Sequence, residues 1–420
     1  MTAGMNERSG PQPPVALYVH VPFCVSLCPY CDFVVYAGAA ARGPTSRVDA
    51  FTRALLAEIT LRADAADAAF GPPGAADRQP LATVYLGGGT PTLLPSGSIA
   101  AILGLVRERF GLAPDAEVTI EANPGRDERG EASDLAAAGV NRLSLGAQSF
   151  DAAALRRLGR RHRAADVADA VGDARGAGIS SISVDLLYDV PGQSEAAWAA
   201  GLDEAIELGV DHVSAYALTL DDPDDEGLTG PLGDHLPTRA GARRWRAAAV
   251  QDQDDDTAAA QYEVAVERLR RAGFRGYEIS NWGRPGHESR HNLVYWRRRP
   301  YEAVGPGAHA FDGSVRRWNA ARLEGYLRAL SPADGSPASL PPGGREAVDA
   351  ERAAAEAVIL GLRLDTGLSL EDAASGPLAP HLEWGLGRGL LAAGTGADGP
   401  LVTLTTTGRL LSNELFARLV

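Results

Sequence analysis

Short apolar runs rich in β-branched residues alternate with longer amphipathic stretches over the first half of the chain. Six such runs occur: ALYVHVPF (16–23), ATVYLGGGT (82–90), EVTIEANP (117–124), RLSLGAQSF (142–150), SISVDLLYDVP (181–191) and HVSAYALTL (212–220). The segments between them, such as residues 48–70 and 98–111, have the length of crossover helices. Strand and helix in alternation predict an α/β fold with a parallel sheet. Six units fall short of the eight of a closed barrel, so we expect an open, incomplete (β/α)6 barrel.

Chemically distinctive residues follow each predicted strand at its carboxyl end. They are the cysteines after the first run, Gly87 to Thr90, Glu121 with Asn123, Gln148, Asp185, and Tyr216 to Thr219. The carboxyl ends of parallel strands meet at one face of a barrel, where such folds bind ligands. The sequence therefore predicts a functional site at this face.

Composition along the chain suggests the domain organisation. We expect residues 1–14 to be disordered, residues 15–258 to form the barrel core, and residues 259–330 to extend it. A Pro/Gly/Ser-rich linker is expected at 331–344, and the pattern helix, helix, strand, helix predicts a small, mostly helical, winged-helix-like domain at 345–420. Two acidic pieces at 221–237 and 251–256 are interpreted as solvated loops.

Charge and cysteine usage restrict the function classes. The formal net charge of −14 disfavours general binding to nucleic acid or to anionic lipid. The sequence contains no apolar run long enough to span a membrane, and we expect a protein that does not span one. Three cysteines cannot all pair, which disfavours a secreted disulfide scaffold and favours a reducing, cytoplasmic location.

All three cysteines, Cys24, Cys28 and Cys31, lie within eight positions. Structural zinc is usually held by four ligands in two pairs, and no second pair follows here at zinc spacing. Iron–sulfur clusters bind thiolates, and a four-iron cluster held by three of them leaves one iron open to another ligand. We therefore favour a cluster, with zinc or three unliganded thiols as the alternatives.

The C-x3-C-x2-C loop after the first barrel strand resembles the radical S-adenosylmethionine (SAM) superfamily. The resemblance implies a 4Fe-4S cluster on the three cysteines and SAM bound to its open iron. It also assigns SAM contacts to the backbone at Tyr30 and to Tyr18, Gly88, Gly89, Thr90, Glu121, Gln148, Arg160, Asp185 and Ala217. Taken singly, each of these residues has an ordinary alternative as a capping or surface residue.

Several further segments resemble the oxygen-independent coproporphyrinogen III oxidase group over nearly the whole chain. They include YLGGGTPTLL, LSLGAQSF, LGRRH, DLLYDVPGQS and SAYALTL. Oxidases of this group carry a fourth cysteine where this chain has Phe33, whereas their heme-chaperone siblings carry phenylalanine. The segment RHNLVYW is similar to the H-N-x-x-Y heme-binding segment of those chaperones, which implies heme contacts at His291, Asn292 and Tyr295.

The residues around His291 suit a porphyrin on chemical grounds. Imidazole is a common axial ligand of heme iron, so His291 is the expected metal ligand and His287 the competing one. Tyr295, Trp296 and Trp282 offer flat apolar surface. Arginines that can pair with two propionates are Arg290, Arg297, Arg298 and Arg299. The alternative is a core or surface histidine with no ligand role.

The resemblance implies a heme chaperone that passes heme to acceptor apo-hemoproteins such as respiratory cytochromes, with an electron donor if SAM is cleaved. No catalytic residue is assigned. The runner-up is oxidative decarboxylation of coproporphyrinogen III, and a third hypothesis is a sensor that keeps the cluster without moving heme. Two positions depart from the family pattern: Asp221 stands near the usual glutamate, and Asp189 replaces the usual glycine before PGQ.

Overall fold

The computed structural model describes residues 10–38, 46–374, 377–396 and 399–420. The disorder expected for residues 1–14 falls partly outside this range, because residues 1–9 are not described. Residues 10–14 run extended along the barrel extension, and the Gln12 N–H donates to the Asp312 carbonyl at 2.7 Å. Disorder of residues 1–14 stays a prediction.

The barrel core contains all six predicted strands. Its elements in chain order are β1 (Ala16–Val21), β2 (Phe23–Cys24), β3 (Tyr36–Ala37), α1 (Ser46–Phe70), β4 (Leu81–Gly88), α2 (Ser96–Phe110), β5 (Leu112–Ala122), α3 (Ala132–Ala138), β6 (Arg142–Gln148), α4 (Ala152–Arg157), α5 (Ala164–Gly176), β7 (Ser181–Tyr188), α6 (Glu195–Glu207) and β8 (His212–Ala217). The predicted runs correspond to β1, β4, β5, β6, β7 and β8, and neighbouring strands in that series all pair in parallel. The predicted α/β barrel of six parallel strands is confirmed.

The barrel extension observed in the structure runs from α7 to β14 and lengthens this sheet at both edges. Its elements are α7 (Ala240–Ala249), α8 (Asp255–Arg271), β9 (Arg275–Gly276), β10 (Asn281–Gly283), α9 (Arg290–Trp296), β11 (Glu302–Val304), β12 (His309–Phe311), β13 (Val315–Asn319), α10 (Leu323–Leu330) and β14 (Gly343–Ala347). Strand β11 pairs in parallel with β1, and β10 pairs antiparallel with β8. The described sheet thus has nine strands in the order β11-β1-β4-β5-β6-β7-β8-β10-β9. Strand β14 begins within residues 331–344, the expected linker, and pairs with β13.

Alternation along the strands separates an apolar outer face from a polar lumen. On β1, Leu17, Val19 and Val21 are fully buried in the main apolar core, beneath the surrounding helices. Tyr18 and His20, on the other face, hydrogen-bond to one another through the Tyr18 hydroxyl and His20 Nδ1 at 3.0 Å. Because side chains alternate along a strand, the inward positions of the neighbouring strands form a lumen of polar and aromatic groups.

The C-terminal domain combines helices with a three-stranded antiparallel sheet of order β15-β17-β16. Its elements are α11 (Ala350–Arg363), β15 (Leu368–Ser369), α12 (Leu370–Ala374), α13 (Ala379–Gly387), β16 (Leu391–Gly396), β17 (Gly399–Leu404), α14 (Thr406–Leu410) and α15 (Ser412–Phe416). Leu362, Leu382, Val402 and Leu415 belong to a separate apolar core. The mostly helical, winged-helix-like domain is confirmed, with two strands more than the single one expected.

The C-terminal domain contacts the residues that surround helix α9. The Arg363 guanidinium stacks over the Trp296 ring at 4.3 Å. Glu356 accepts from Arg298 Nε at 3.1 Å and from Arg316 Nη2 at 2.8 Å. These contacts tie α11 to the end of α9 and to β13.

Within the described residues, none of the helices combines the length and apolarity needed to cross a bilayer.

Candidate functional site

The three cysteines lie just beyond the carboxyl end of β1. Cys24 ends β2, and Cys28 and Cys31 follow in the next loop; all three are free and partly exposed. Burial raises the pKa of the Cys24 thiol to about 11 and also raises that of Cys31, with the neighbouring Cys28 adding to both shifts. Among the described residues, no group of three or more His, Cys, Asp or Glu side chains is arranged to hold a single metal ion.

A polar network connects the cysteine loop to the ends of neighbouring strands. Thr90 Oγ1 donates to Cys24 Sγ at 3.6 Å, and Arg160 Nη1 donates to Cys28 Sγ at 3.5 Å. Asn123 joins the two, since its Nδ2 donates to Thr90 Oγ1 at 3.1 Å and its Oδ1 accepts from Arg160 Nη2 at 2.5 Å. The predicted residues Thr90 and Arg160 thus meet at the cysteines, and Asn123, which had no assigned role, links them.

The chemistry of this network fits an anionic iron–sulfur group. Arg160 Nε is buried without a hydrogen-bond partner among the described atoms, although the same guanidinium contacts Cys28 and Asn123. A buried cation with an unused donor favours an anionic ligand beside it. Three thiols, a cation beside one of them and an unused N–H donor together suit an iron–sulfur cluster.

The glycines after β4 have a structural requirement of their own. The backbone N–H groups of Gly89 and Thr90 donate to the carbonyls of Val21 and Phe23 at 2.9 and 2.7 Å. A Cβ on Gly89 would lie 2.5 Å from the Phe23 carbonyl oxygen, and Gly88 has a φ of +103°. The end of β4 therefore packs directly on the backbone that carries Cys24, and close approach to a ligand stays a prediction.

Glu121 and Asp185 lie in the lumen below the cysteine loop. Tyr85 donates its hydroxyl to Glu121 Oε1 at 2.7 Å, and the Gly88 N–H donates to Oε2 at 2.9 Å. Burial raises the pKa of Glu121 to about 7. Asp185 accepts from the Ser144 hydroxyl at 3.1 Å, and burial raises its pKa as well. Both carboxyl groups therefore sit where an incoming donor can stabilise the ionised form.

The remaining expected SAM contacts lie at strand ends or in the cysteine loop. Gln148 ends β6 with a φ of +63°, a strained value for a residue other than glycine. Ala217 ends β8, in register with Tyr188 of β7. Tyr30 stands between two of the cysteines, and its carbonyl accepts from Arg246 Nη2 at 3.1 Å. A carbonyl oxygen has two lone pairs, so this contact leaves the Tyr30 backbone able to accept again.

Arg246, on α7, is a residue that the sequence interpretation missed. It is only 5% exposed. Its guanidinium donates to the carbonyls of Pro29, Tyr30 and Cys31 at 3.2, 3.1 and 3.1 Å, and also to the Asp221 carbonyl. One side chain therefore holds the cysteine loop to the segment after β8. The surrounding sequence, ARRWRA, resembles a solvated basic face and carries no signal for this role.

The RHNLVYW segment forms helix α9 at the opposite end of the barrel. His291 Nδ1 hydrogen-bonds to the Thr83 hydroxyl at 2.8 Å, and its backbone N–H donates to Glu117 Oε1 at 2.9 Å. Thr83 lies near the amino end of β4, and Glu117 on β5 is its register partner. The segment is therefore separated from the cysteines by the length of the strands.

His291 is enclosed in the lumen and is not presented on a surface. It is 1% exposed, and its second ring nitrogen, Nε2, hydrogen-bonds to the Tyr295 hydroxyl at 2.8 Å. Burial lowers the pKa of His291 to about 3, so the ring is neutral. Asn292 is partly exposed, and its N–H donates to the capping Ser289 hydroxyl at 3.3 Å. His291 and Tyr295 are brought together as expected, but both ring nitrogens already have protein partners.

The other residues expected around heme are dispersed. Trp282 is 2% exposed, and Arg298 is paired with Glu356. Arg290 donates to the Asp115 carbonyl at 2.6 Å, away from the lumen. His287 is partly exposed, and its Nδ1 hydrogen-bonds to the Ser181 hydroxyl at 3.1 Å. Its ring is thus more accessible than that of His291.

The acidic segment 221–237 is not wholly solvated. Asp222 pairs with Arg243 at 2.9 Å, and Asp234 pairs with His309 Nε2 at 2.8 Å.

Phe33, which replaces the fourth cysteine of the oxidases, is 61% exposed. Asp189 has a φ of +57°, a conformation that glycine adopts freely and that aspartate tolerates better than most other residues.

Comparisons with known proteins cover most of the chain. The sequence profile of the radical SAM superfamily matches residues 18–205. The chain is 38% identical over 410 residues to a protein of Mycobacterium tuberculosis (strain CDC 1551 / Oshkosh) named heme chaperone HemW, covering 98% of this chain and 96% of that protein. It is 37% identical over 309 residues to the Escherichia coli (strain K12) protein of the same name, covering 73% of each.

Among solved structures, coproporphyrinogen III oxidase (HemN) from Escherichia coli, described as a radical SAM enzyme, aligns with a TM-score of 0.76. The alignment covers 98% of this chain and 91% of that chain, at 23% sequence identity. At this identity the likeness supports the fold alone.

Proposed function

Since this chain belongs to the HemW family of radical SAM proteins, we propose that it is a heme chaperone, which binds heme and transfers it to acceptor apo-hemoproteins. The observation that carries the proposal is the 38% identity over 98% of the chain to a protein named heme chaperone HemW. Phe33 in place of a fourth cysteine and the H-N-x-x-Y segment at His291 to Tyr295 support it. A cytoplasmic location and respiratory cytochromes as acceptors are part of the same proposal.

We propose that Cys24, Cys28 and Cys31 hold a 4Fe-4S cluster with SAM on its open iron. Arg160 balances the thiolate charge at Cys28, and Thr90 orients Cys24, as their contacts with these sulfurs suggest. Other residues for SAM contact are Tyr18, the Tyr30 backbone, Gly88, Gly89, Glu121, Gln148, Asp185 and Ala217. When reduced, such a cluster supplies one electron for cleavage of the SAM sulfonium, and an electron donor would then be needed.

We propose further that His291 binds the heme iron after α9 has moved from the end of the barrel. The neutral form that its lowered pKa maintains is the form that ligates iron. Movement of α9 breaks the ring hydrogen bond to Thr83 at a cost of about 1 kcal/mol, and Nε2 becomes free for iron once the Tyr295 hydroxyl, on the same helix, turns away. Asn292 and Tyr295 belong to the same segment and would contact the heme with it.

Anaerobic heme binding and transfer test the function. Protein reconstituted with iron and sulfide is titrated with hemin, and the loaded form is mixed with an apo-cytochrome. Saturable binding followed by transfer is expected, with the heme spectrum changed in His291→Ala and unchanged in His287→Ala. Binding without transfer to any acceptor would instead favour the sensor hypothesis.

An oxidase assay tests the alternative function, oxidative decarboxylation of coproporphyrinogen III. The same protein is incubated with coproporphyrinogen III, SAM and a reductant under anaerobic conditions. We expect no protoporphyrinogen IX beyond one equivalent per protein. Formation over many turnovers would reject the chaperone proposal in favour of the oxidase.

A further inference from the structure

A cleft of about 900 Å³ separates the barrel extension from the C-terminal domain. One wall contains α9 and β9, and the other contains β16, β17 and the residues that follow α11. This volume lies at the upper end of the ~300–1,000 Å³ range of small-molecule sites. The apolar side chains that line it include Val266, Phe274, Leu293, Leu364 and Leu404. The cleft therefore offers apolar surface on both walls.

The charge of the cleft is opposite to that of the chain. Its carboxylates are Glu288 and Asp365, and its four arginines are Arg270, Arg275, Arg297 and Arg409. The chain as a whole carries a formal net charge of −14. A cationic lining around apolar walls, in an otherwise acidic protein, favours an anionic amphiphile over a neutral or cationic ligand.

Two of these arginines have no protein carboxylate to pair with. Arg270 pairs with Glu267 at 2.9 Å, and Arg409 pairs with Asp365. Arg275 and Arg297 are exposed, and within the described part of the chain neither has an ion pair. Arg275 lies on β9, and Arg297 directly follows the last residue of α9. Each guanidinium is thus available to bind one carboxylate in a bidentate manner.

Helix α9 carries the H-N-x-x-Y residues and the cleft residues on opposite faces. His291 and Tyr295, four positions apart, face the barrel lumen, where their side chains hydrogen-bond to one another. Leu293 and Arg297, also four apart, line the cleft. A step of two residues turns a helix by about 200°, which accounts for the two faces. A ligand in the cleft therefore contacts the helix whose movement would release His291.

We propose that this cleft binds the porphyrin ring of heme, with its two propionates on Arg275 and Arg297. The proposal rests on the proposed chaperone function and gives the porphyrin a first contact site, occupied before α9 moves and His291 reaches the iron. The apolar walls match the flat macrocycle, and two unpaired guanidinium groups match two carboxylates. Among the described residues that line the cleft, none is a histidine. Recognition there depends on the ring and the propionates, so a porphyrin without iron binds as well.

Metal-free protoporphyrin IX is the probe that separates binding of the ring and propionates in the cleft from ligation of iron. Its fluorescence change is titrated against the full-length wild type and against Arg275→Glu, Arg297→Glu and Arg328→Glu. Arg328 is an exposed arginine on α10 and is the matched control. We expect about tenfold weaker binding for each cleft variant, since one charged contact is reversed, and no change for the control.

A second pair of variants tests the cleft by shape rather than charge. Ala392 is exposed, lies on β16 and lines the cleft, so Ala392→Trp should fill it and weaken protoporphyrin binding at least tenfold. Thr395 is exposed on the same strand but does not line the cleft, and Thr395→Trp should bind like the wild type. Circular dichroism and thermal melting verify that each variant is folded.

The outcomes separate this proposal from the function it rests on. If hemin binds and transfers while the arginine and Ala392 variants take up protoporphyrin IX with wild-type affinity, the cleft assignment is rejected and the chaperone function stands. If the wild type binds hemin but not protoporphyrin IX, binding depends on iron ligation and the cleft is again rejected. If the wild type binds neither, the proposed function fails.

Discussion

The Thr83 hydroxyl and His291 Nδ1 share a buried hydrogen bond of 2.8 Å between residues 208 positions apart in the chain. This contact fixes a helix of the barrel extension against the inner wall of the barrel. It joins the segment expected to bind heme to a strand whose other end lies at the cysteine loop.

Removing this bond should loosen α9. We expect Thr83→Val to lower the free energy of unfolding by about 1–2 kcal/mol, because His291 Nδ1 loses a buried partner. If His291 must leave the lumen to reach iron, the same variant should bind hemin more tightly than the wild type. Urea denaturation and hemin titration measure the two effects.

Thr119→Val is the matched control for this variant. Thr119 is also a buried threonine on the neighbouring strand, but its hydroxyl has no hydrogen-bond partner among the described atoms. Its replacement should be neutral or stabilising. Hemin binding that weakens as much in Thr83→Val as in His291→Ala would show that the ring acts in place, without opening.

Buried histidines should make the apoprotein sensitive to acid. Burial lowers the pKa of His20 and His162 to about 4 and that of His291 to about 3, against 6.5 for an unperturbed histidine. Between these values the unfolded chain binds more protons than the folded one, so stability rises with pH up to about 6.5 and is lost below it. Each histidine contributes about 1.4 kcal/mol per pH unit in this window. The pKa of Glu121 is raised to about 7, so this residue makes stability fall as pH rises and offsets the contribution of one histidine.

One histidine variant tests that slope. His162→Asn should reduce the pH dependence of the unfolding free energy between pH 4.5 and 6 by about 1.4 kcal/mol per unit. Urea titrations of the apoprotein at several pH values provide the measurement. An unchanged slope would mean that His162 is protonated, or exposed, in the folded protein.

Arg246 should hold the cysteine loop in an ordered conformation that retains iron. In Arg246→Met the carbonyls of Pro29, Tyr30 and Cys31 lose a charged donor, and we expect a loss of about 1–3 kcal/mol of stability. The loop thiols of the apoprotein should then react faster with an alkylating reagent, and less iron should be retained after reconstitution. Arg244→Met, two positions away on the exposed face of α7, is the control. Equal alkylation rates in the two variants would count against this role.

Two glycine-to-alanine changes should have opposite effects on the free energy of unfolding. At Gly89 a Cβ would lie within 2.8 Å of the carbonyl oxygens of Val21 and Phe23, so Gly89→Ala must displace backbone. We expect a loss of about 2–3 kcal/mol. At Gly104, in the middle of α2, no atom lies within 4 Å of the added Cβ, and alanine should stabilise the helix by about 1 kcal/mol. Thermal unfolding of both variants checks the signs.

The parts of the fold that depend on local pattern were predictable from the sequence. Six alternating strands and the mostly helical tail follow from periodicity, and the cysteine spacing identifies the loop. The environment of His291 was not predictable, because a polar residue in a short helix gives no sign of whether it faces solvent or a polar lumen. Arg246 was missed for a related reason, since its partners are backbone carbonyls and have no sequence signature.

The contacts of the C-terminal domain with α9 have a mechanical consequence. Trp296, the last residue of α9, lies beneath Arg363, and Arg298 just after it is paired with Glu356. Because these contacts join α11 to the carboxyl end of α9, a displacement of either helix would be transmitted to the other.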